Sequence, residues 1–214
     1  MRAIPAAPLF VAAVAVATFA GAIGAAPAPT HPAAHLALSP LLELRERLES
    51  VNEASIDGRP SRALPAALRA ESWWKAHPQE LGAIAGGGEL IARVVDEARG
   101  GHPIEAARAA WELSERSFPP GAASLDDALM RIDLVGMAAW LRAHGSDASW
   151  PDGTQSALDL IESRLTARHR ATLASRFKLA ADAAMTTPIS ASGDALPAKR
   201  LLDLVDVIEK VLGS

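Results

Sequence analysis

SLDDALMRIDLVGMAAWLRAHG, residues 124–145, carries apolar side chains on nearly every side, the pattern of a helix buried among other helices rather than one lying on a surface. Both of its ends are marked. Ser124 followed by Asp127 approximates a capping box, Asp126 and Asp127 complement the positive end of the helix dipole, and Gly145 after His144 is a stop. Leu125, Leu129, Ile132 and Ala139 fall on one face, Leu134, Ala138 and Leu141 on a second, and Met130, Asp133, Met137, Trp140 and His144 on a third. Asp127, Arg131 and Arg142 read as its solvated positions. Asp133, set between Ile132 and Leu134, is a carboxylate that needs a partner if buried, and an Arg from a neighbouring helix would complete a buried ion pair.

Outward from this core helix, helix signals recur in both directions. On the N-terminal side, Ser39-Pro40 is a cap and first-turn pair, after which Leu41, Leu44, Leu48 and Val51 repeat at helical spacing, with Glu43–Arg47 and Arg45–Glu49 pairs expected outside. Asp57-Gly58 and Pro60 mark a turn, and Leu64 to Ala76 is expected to be helical. His77-Pro78 and His102-Pro103 each begin a helix. Gly86-Gly87-Gly88 interrupts the first of these as a hinge or a close helix contact; no Lys-Ser or Lys-Thr pair follows to make it a phosphate loop. On the C-terminal side, Ser156 to about Met185 reads as one long helical region with Leu165, His169 and Leu173 on its apolar seam and room for a bend near His169, and Pro197 opens a last amphipathic helix. Phe118-Pro119-Pro120-Gly121 and Trp150-Pro151-Asp152-Gly153 echo one another at an offset of about 32 residues, a helical-repeat length, but diverge beyond the turn and cap. The fold class is therefore all-α, a multi-helix bundle or irregular array of about six to eight helices.

Composition agrees and removes whole classes of chemistry. Half of the 214 residues are apolar, enough for one ordinary domain with a real core, expected over residues 39–214. The absence of Cys excludes disulfides, thiolate nucleophiles and thiolate metal sites. A net charge of -4 gives no general reason to bind nucleic acid.

Arg2 precedes an uncharged run whose apolar part, Leu9 to Ala26, has the form of a secretory signal, with small-residue cleavage sites at Ala20-Gly21-Ala22 and Ala22-Ile23-Gly24. Residues 1–24 are read as that signal, with an uncleaved anchor as the rival, and residues 25–38 as an Ala/Pro-rich tether. Either way the rest is expected outside the cytoplasm, periplasmic or secreted. Membrane contact is then expected only through a retained N-terminal segment.

No stretch combines residue types and spacing into a catalytic signature. Met130, Asp133, Met137 and His144 carry ligand-type groups, but residues seven apart on a helix stand roughly 10 Å apart, too far for one ion, so no metal or cofactor is expected. Arg164, Arg168 and His169 form the candidate anion-binding cluster, with His169 half-buried. Trp73, Trp74 and Trp150, at helix ends or in turns, are the candidate interface residues. Leu41 to Leu48 is similar over about two turns to the first helix of the all-helical chorismate mutases. That family continues one long helix with further Arg and Lys ligands, whereas here Gly58 and Pro60 end it early. The expectation is an exported, non-catalytic helical protein serving as a protein-binding or accessory subunit in the cell envelope. The alternative is an exported helical enzyme or small-anion binder using the Arg/His cluster.

Overall fold

Ser39 caps the first helix as its sequence implies: the side chain accepts the Leu42 N–H at 3.3 Å, and Pro40 fills the first turn. The structure, a computed structural model, describes residues 39–118 and 124–213. The expected signal and tether, and the first of the two Pro-Gly turns, lie outside the described residues. The helices are α1 (Pro40–Ile56), α2 (Pro60–Ala76), α3 (Pro78–Leu81), α4 (Gly87–Gly100), α5 (Pro103–Arg116), α6 (Leu125–Ala143), α7 (Thr154–Ala167), α8 (Ala171–Met185) and α9 (Leu196–Leu212). Among the described residues there is no strand, and no helix is long and apolar enough to cross a membrane.

The helices exceed the expected number for two local reasons. After Leu81 the chain leaves its helix before Gly86, so α3 is a single turn separate from α4. The region from Ser156 to Met185 divides at Arg168–Arg170, where the Arg170 N–H bonds to the Leu165 carbonyl and the His169 N–H to the Thr166 carbonyl, both at 2.9 Å. This is a Schellman end with His169 at φ 57°, in the place usually held by glycine. No Gly or Pro announces it.

Two apolar clusters organise the packing. In the first, α1, α2, α4 and α5 enclose Leu44, Leu48, Val51, Ala67, Val94 and Leu113. In the second, α6 lies amid α7, α8 and α9, enclosing Ile132, Leu141, Ile161, Phe177 and Val205. Trp111 of α5 joins the two, its Nε1–H donating to the Leu134 carbonyl at 3.0 Å. Glycines permit two close approaches: a Cβ on Gly87 would stand 2.3 Å from the Trp74 ring, and one on Gly136 2.7 Å from the Leu202 side chain. The Gly86–Gly88 segment therefore includes a close contact between α2 and α4.

The residues read as solvated on α6 are committed instead. Arg131 is 2% exposed, donates to the Asp152 carbonyl and lies 4.6 Å from the Phe118 ring centroid. Arg142 donates to the carbonyls of Thr187 at 2.9 Å and Ala148 at 3.1 Å. Long Arg stems cover apolar surface while their heads satisfy carbonyls of the loops that flank α6, a role helical periodicity does not encode.

Candidate functional site

The two apolar clusters leave a cavity of about 260 Å³ where α1 and α5 face α6 and α9. Helical spacing builds its walls. Glu49, Asn52, Glu53 and Ile56 on α1 stand at positions i, i+3, i+4 and i+7 of one helix face, as do Met130, Asp133, Leu134 and Met137 on α6 and Lys199, Leu202, Asp203 and Asp206 on α9. Asp57, Ser114 and Phe118 complete the lining with Arg45. The lining thus combines carboxyl groups from three helices with the apolar side chains of Met130, Leu134, Met137 and Leu202.

Its charges are poorly compensated. Arg45 Nη1 bonds to Asp127 at 3.0 Å, while its Nε and Nη2 donate to the Ser117 hydroxyl and carbonyl at 2.9 and 2.6 Å. Its guanidinium also lies 3.7 Å from the Phe118 centroid, so this cation is committed to structure. Asp57 faces Arg59 at 3.5 Å. Among the described residues Glu49, Glu53, Asp133, Asp203 and Asp206 make no ion pair, and the exposed Lys199 is the further cation of the lining. Burial pushes the Glu49 carboxyl up to about 7, and Glu53, Glu209, Asp206 and Glu46 push the same way. Burial likewise holds the Asp133 carboxyl well above the usual carboxylate range, reinforced by Glu49, Glu209, Asp206 and Glu53. Asn52, only 6% exposed, lines the same space with a buried Oδ1 that accepts no hydrogen bond. The walls therefore offer mainly acceptors, short of donors.

Asp133 thus corrects the expected pairing. Its surroundings are acidic and no Arg pairs with it among the described residues, where Arg45 pairs instead with Asp127. The physical reason is reach: Arg45 faces the first turn of α6 and bonds there, which also removes the expected Arg45–Glu49 pair. Glu43–Arg47 does form, at 2.6 Å.

Arg164, Arg168 and His169 sit together near the α7–α8 turn, all exposed. His169 is not half-buried on a seam, because the Schellman turn swings it off the helix. Arg168 donates to the Val211 carbonyl at 2.7 Å, and none of the three lines this cavity or the smaller one between α7 and α8. The three candidate interface tryptophans are half-buried and divided between the two clusters. Trp73 donates to the Pro40 carbonyl at 3.0 Å and stacks on His77, Trp74 covers Gly87, and Trp150 lies beneath Arg142. Each indole has an internal task.

Of the α6 face that carries Met130, Asp133, Met137 and His144, the first three line the cavity, while His144 turns away with its Nδ1 2.7 Å from the Trp140 carbonyl. Sequence reading missed Glu49, Asn52, Glu53, Asp203 and Asp206. Their one available signal was the acidic spacing on α1 and α9, which is also the pattern of an ordinary solvated face. No protein-family model matches the chain, and no curated protein or solved structure matches it.

Proposed function

We propose that this chain is a non-catalytic helical binding protein acting outside the cytoplasm, an accessory component that holds its partner through cationic groups received in the cavity between α1, α5, α6 and α9. The observation that carries this reading is the lining itself: unpaired carboxylates on three helices, together with the buried Asn52 Oδ1 left without a donor. A buried acceptor without a donor and carboxylates crowded without counter-charges both cost free energy, and a ligand bearing N–H⁺ groups offsets both at once. The extracytoplasmic placement rests on the sequence of residues 1–24. The lining contains no His or Cys, and Ser114, a hydroxyl among these groups, lies on a wall without a histidine base. Binding suits these groups better than covalent chemistry.

Calorimetric titration of the purified protein with cationic probes, among them an N-acetyl-lysine amide peptide and aliphatic diamines, tests the reading. Binding that weakens with salt and is reduced in Glu49→Gln supports it. Failure of every cationic probe to bind at low salt would remove it.

A further inference from the structure

The cavity's size, charge count and apolar floor narrow the cationic ligand further, an inference that rests on the binding reading above. At about 260 Å³ it lies just below the usual range for small-molecule sites, roughly 300–1,000 Å³. That volume suits a slender molecule rather than a folded peptide segment. Glu49, Glu53, Asp133, Asp203 and Asp206 are spread over three helices, so one ammonium or guanidinium cannot reach them all, and the buried Glu49 and Asp133 carboxyls give up their protons only when a cation stands beside them. A single metal ion does not fit either, because no group of three or more His, Asp or Glu among the described residues is placed to hold one. The lining also carries the apolar side chains of Met130, Met137 and Leu202, a surface for methylene groups. Charge at intervals along an aliphatic chain meets all three conditions.

We propose that the cavity binds a short linear aliphatic polyamine. One protonated nitrogen lies between Glu49 and Asp133 and donates to the Asn52 Oδ1, the methylenes run over Met130, Met137 and Leu202, and a second nitrogen reaches Asp203 and Asp206 at the rim. Binding is non-covalent, and the ligand leaves unchanged.

Isothermal titration of the full chain with putrescine, cadaverine and spermidine tests this, set against n-butylamine, magnesium ion and a lysine-containing peptide. The expected result is saturable binding of a di- or triamine at least about tenfold tighter than of n-butylamine, one extra charge-assisted contact being worth that factor. Asp206→Asn, on the exposed side of α9, should weaken the diamine several-fold without disturbing the fold, and Asn52→Ala should weaken it further. Glu89→Gln on α4 should leave it unchanged. Equal affinity for n-butylamine and the diamines, or diamine binding unaffected by both Asp206→Asn and Asn52→Ala, overturns the polyamine assignment. Binding of the lysine peptide but of no polyamine overturns it while the cationic-partner reading stands; binding of none of these probes overturns both.

Discussion

Arg45 Nη1 lies 3.0 Å from Asp127 Oδ1, a contact across 82 positions of sequence that fixes α1 against the first turn of α6. Asp127 does double duty there, since its own N–H is the one that the Ser124 side chain caps, at 3.0 Å. The guanidinium is 6% exposed, so it depends on this carboxylate and on Ser117 for compensation.

Asp127→Ala should therefore cost about 2–4 kcal/mol, because it strands a buried cation rather than merely weakening a helix start. Asp126→Ala, one position earlier and exposed, should cost under about 1 kcal/mol. Denaturant melts of the two variants make the comparison. Similar small losses at both positions would show that Arg45 finds other compensation.

Gly87 and Gly88 are adjacent in the first turn of α4 yet should respond oppositely to a methyl group. At Gly87 the Cβ meets the Trp74 ring at 2.3 Å, whereas at Gly88 nothing lies within 4 Å. Gly87→Ala is expected to destabilise by about 1–3 kcal/mol through overpacking, and Gly88→Ala to stabilise by up to about 1 kcal/mol through a less entropic unfolded chain. Thermal unfolding of both variants, with Trp fluorescence reporting on Trp74, checks the pair. Stabilisation by both would mean that α2 and α4 separate at little cost.

Much of the fold was legible because its determinants are local. The caps at Ser39 and Ser124, the Pro starts at Pro40 and Pro103, and the apolar stripes of α1, α6 and α9 lie within a few residues of one another. The site was hardly legible, because it exists only where α1, α5, α6 and α9 meet. Glu49 is an ordinary outward acid on the α1 pattern until α6 and α9 close over it, and the helical line of Met130, Asp133 and Met137 carries no sign of the cavity beside it. Arg45 shows the same thing from the other side. Its local partner Glu49 was the nearer in sequence, but tertiary packing brought Asp127 and Ser117 into reach.

His169 holds a strained backbone conformation, and its cost is measurable. A non-glycine residue at φ 57° adopts a left-handed conformation that glycine takes freely. The side chain is exposed, so little packing is lost by removing it. His169→Gly is expected to raise stability by about 0.5–1 kcal/mol, while His169→Ala should not. Chemical denaturation of the three proteins decides, and a loss of stability in His169→Gly would indicate a contact that outweighs the backbone strain.

Asp133 gives the sharpest test of the acidic cavity, since its charge is opposed by burial and by Glu49, Glu209, Asp206 and Glu53 together. The groups facing it comprise Glu46, Glu49, Glu53, Asp57 and the committed Arg45 on or beside α1, and Lys199, Asp203, Asp206 and Glu209 on α9. A carboxyl whose value is raised by folding keeps its proton in the native state after the unfolded chain has released its own. Stability from that group is fully present below the unfolded value and is lost as pH rises through the folded one. For Glu49 the window runs from the ordinary 4.5 to about 7, worth up to about 3 kcal/mol before allowance for partial solvation. Glu49 and Asp133 are close enough to titrate as a coupled pair, so the loss belongs to both. The protein should therefore lose stability between pH 5 and pH 8 by about 2 kcal/mol or more, the reverse of a domain held by salt-bridged acids. Asp133→Asn keeps the shape of the protonated acid and removes the charge, so it should stabilise by about 1 kcal/mol or more at pH 8 and change little at pH 5. Urea melts of the two proteins across that range give both numbers. A variant less stable than the parent at pH 8 would show that the Asp133 carboxylate is compensated, and with it that the cavity is not short of positive charge.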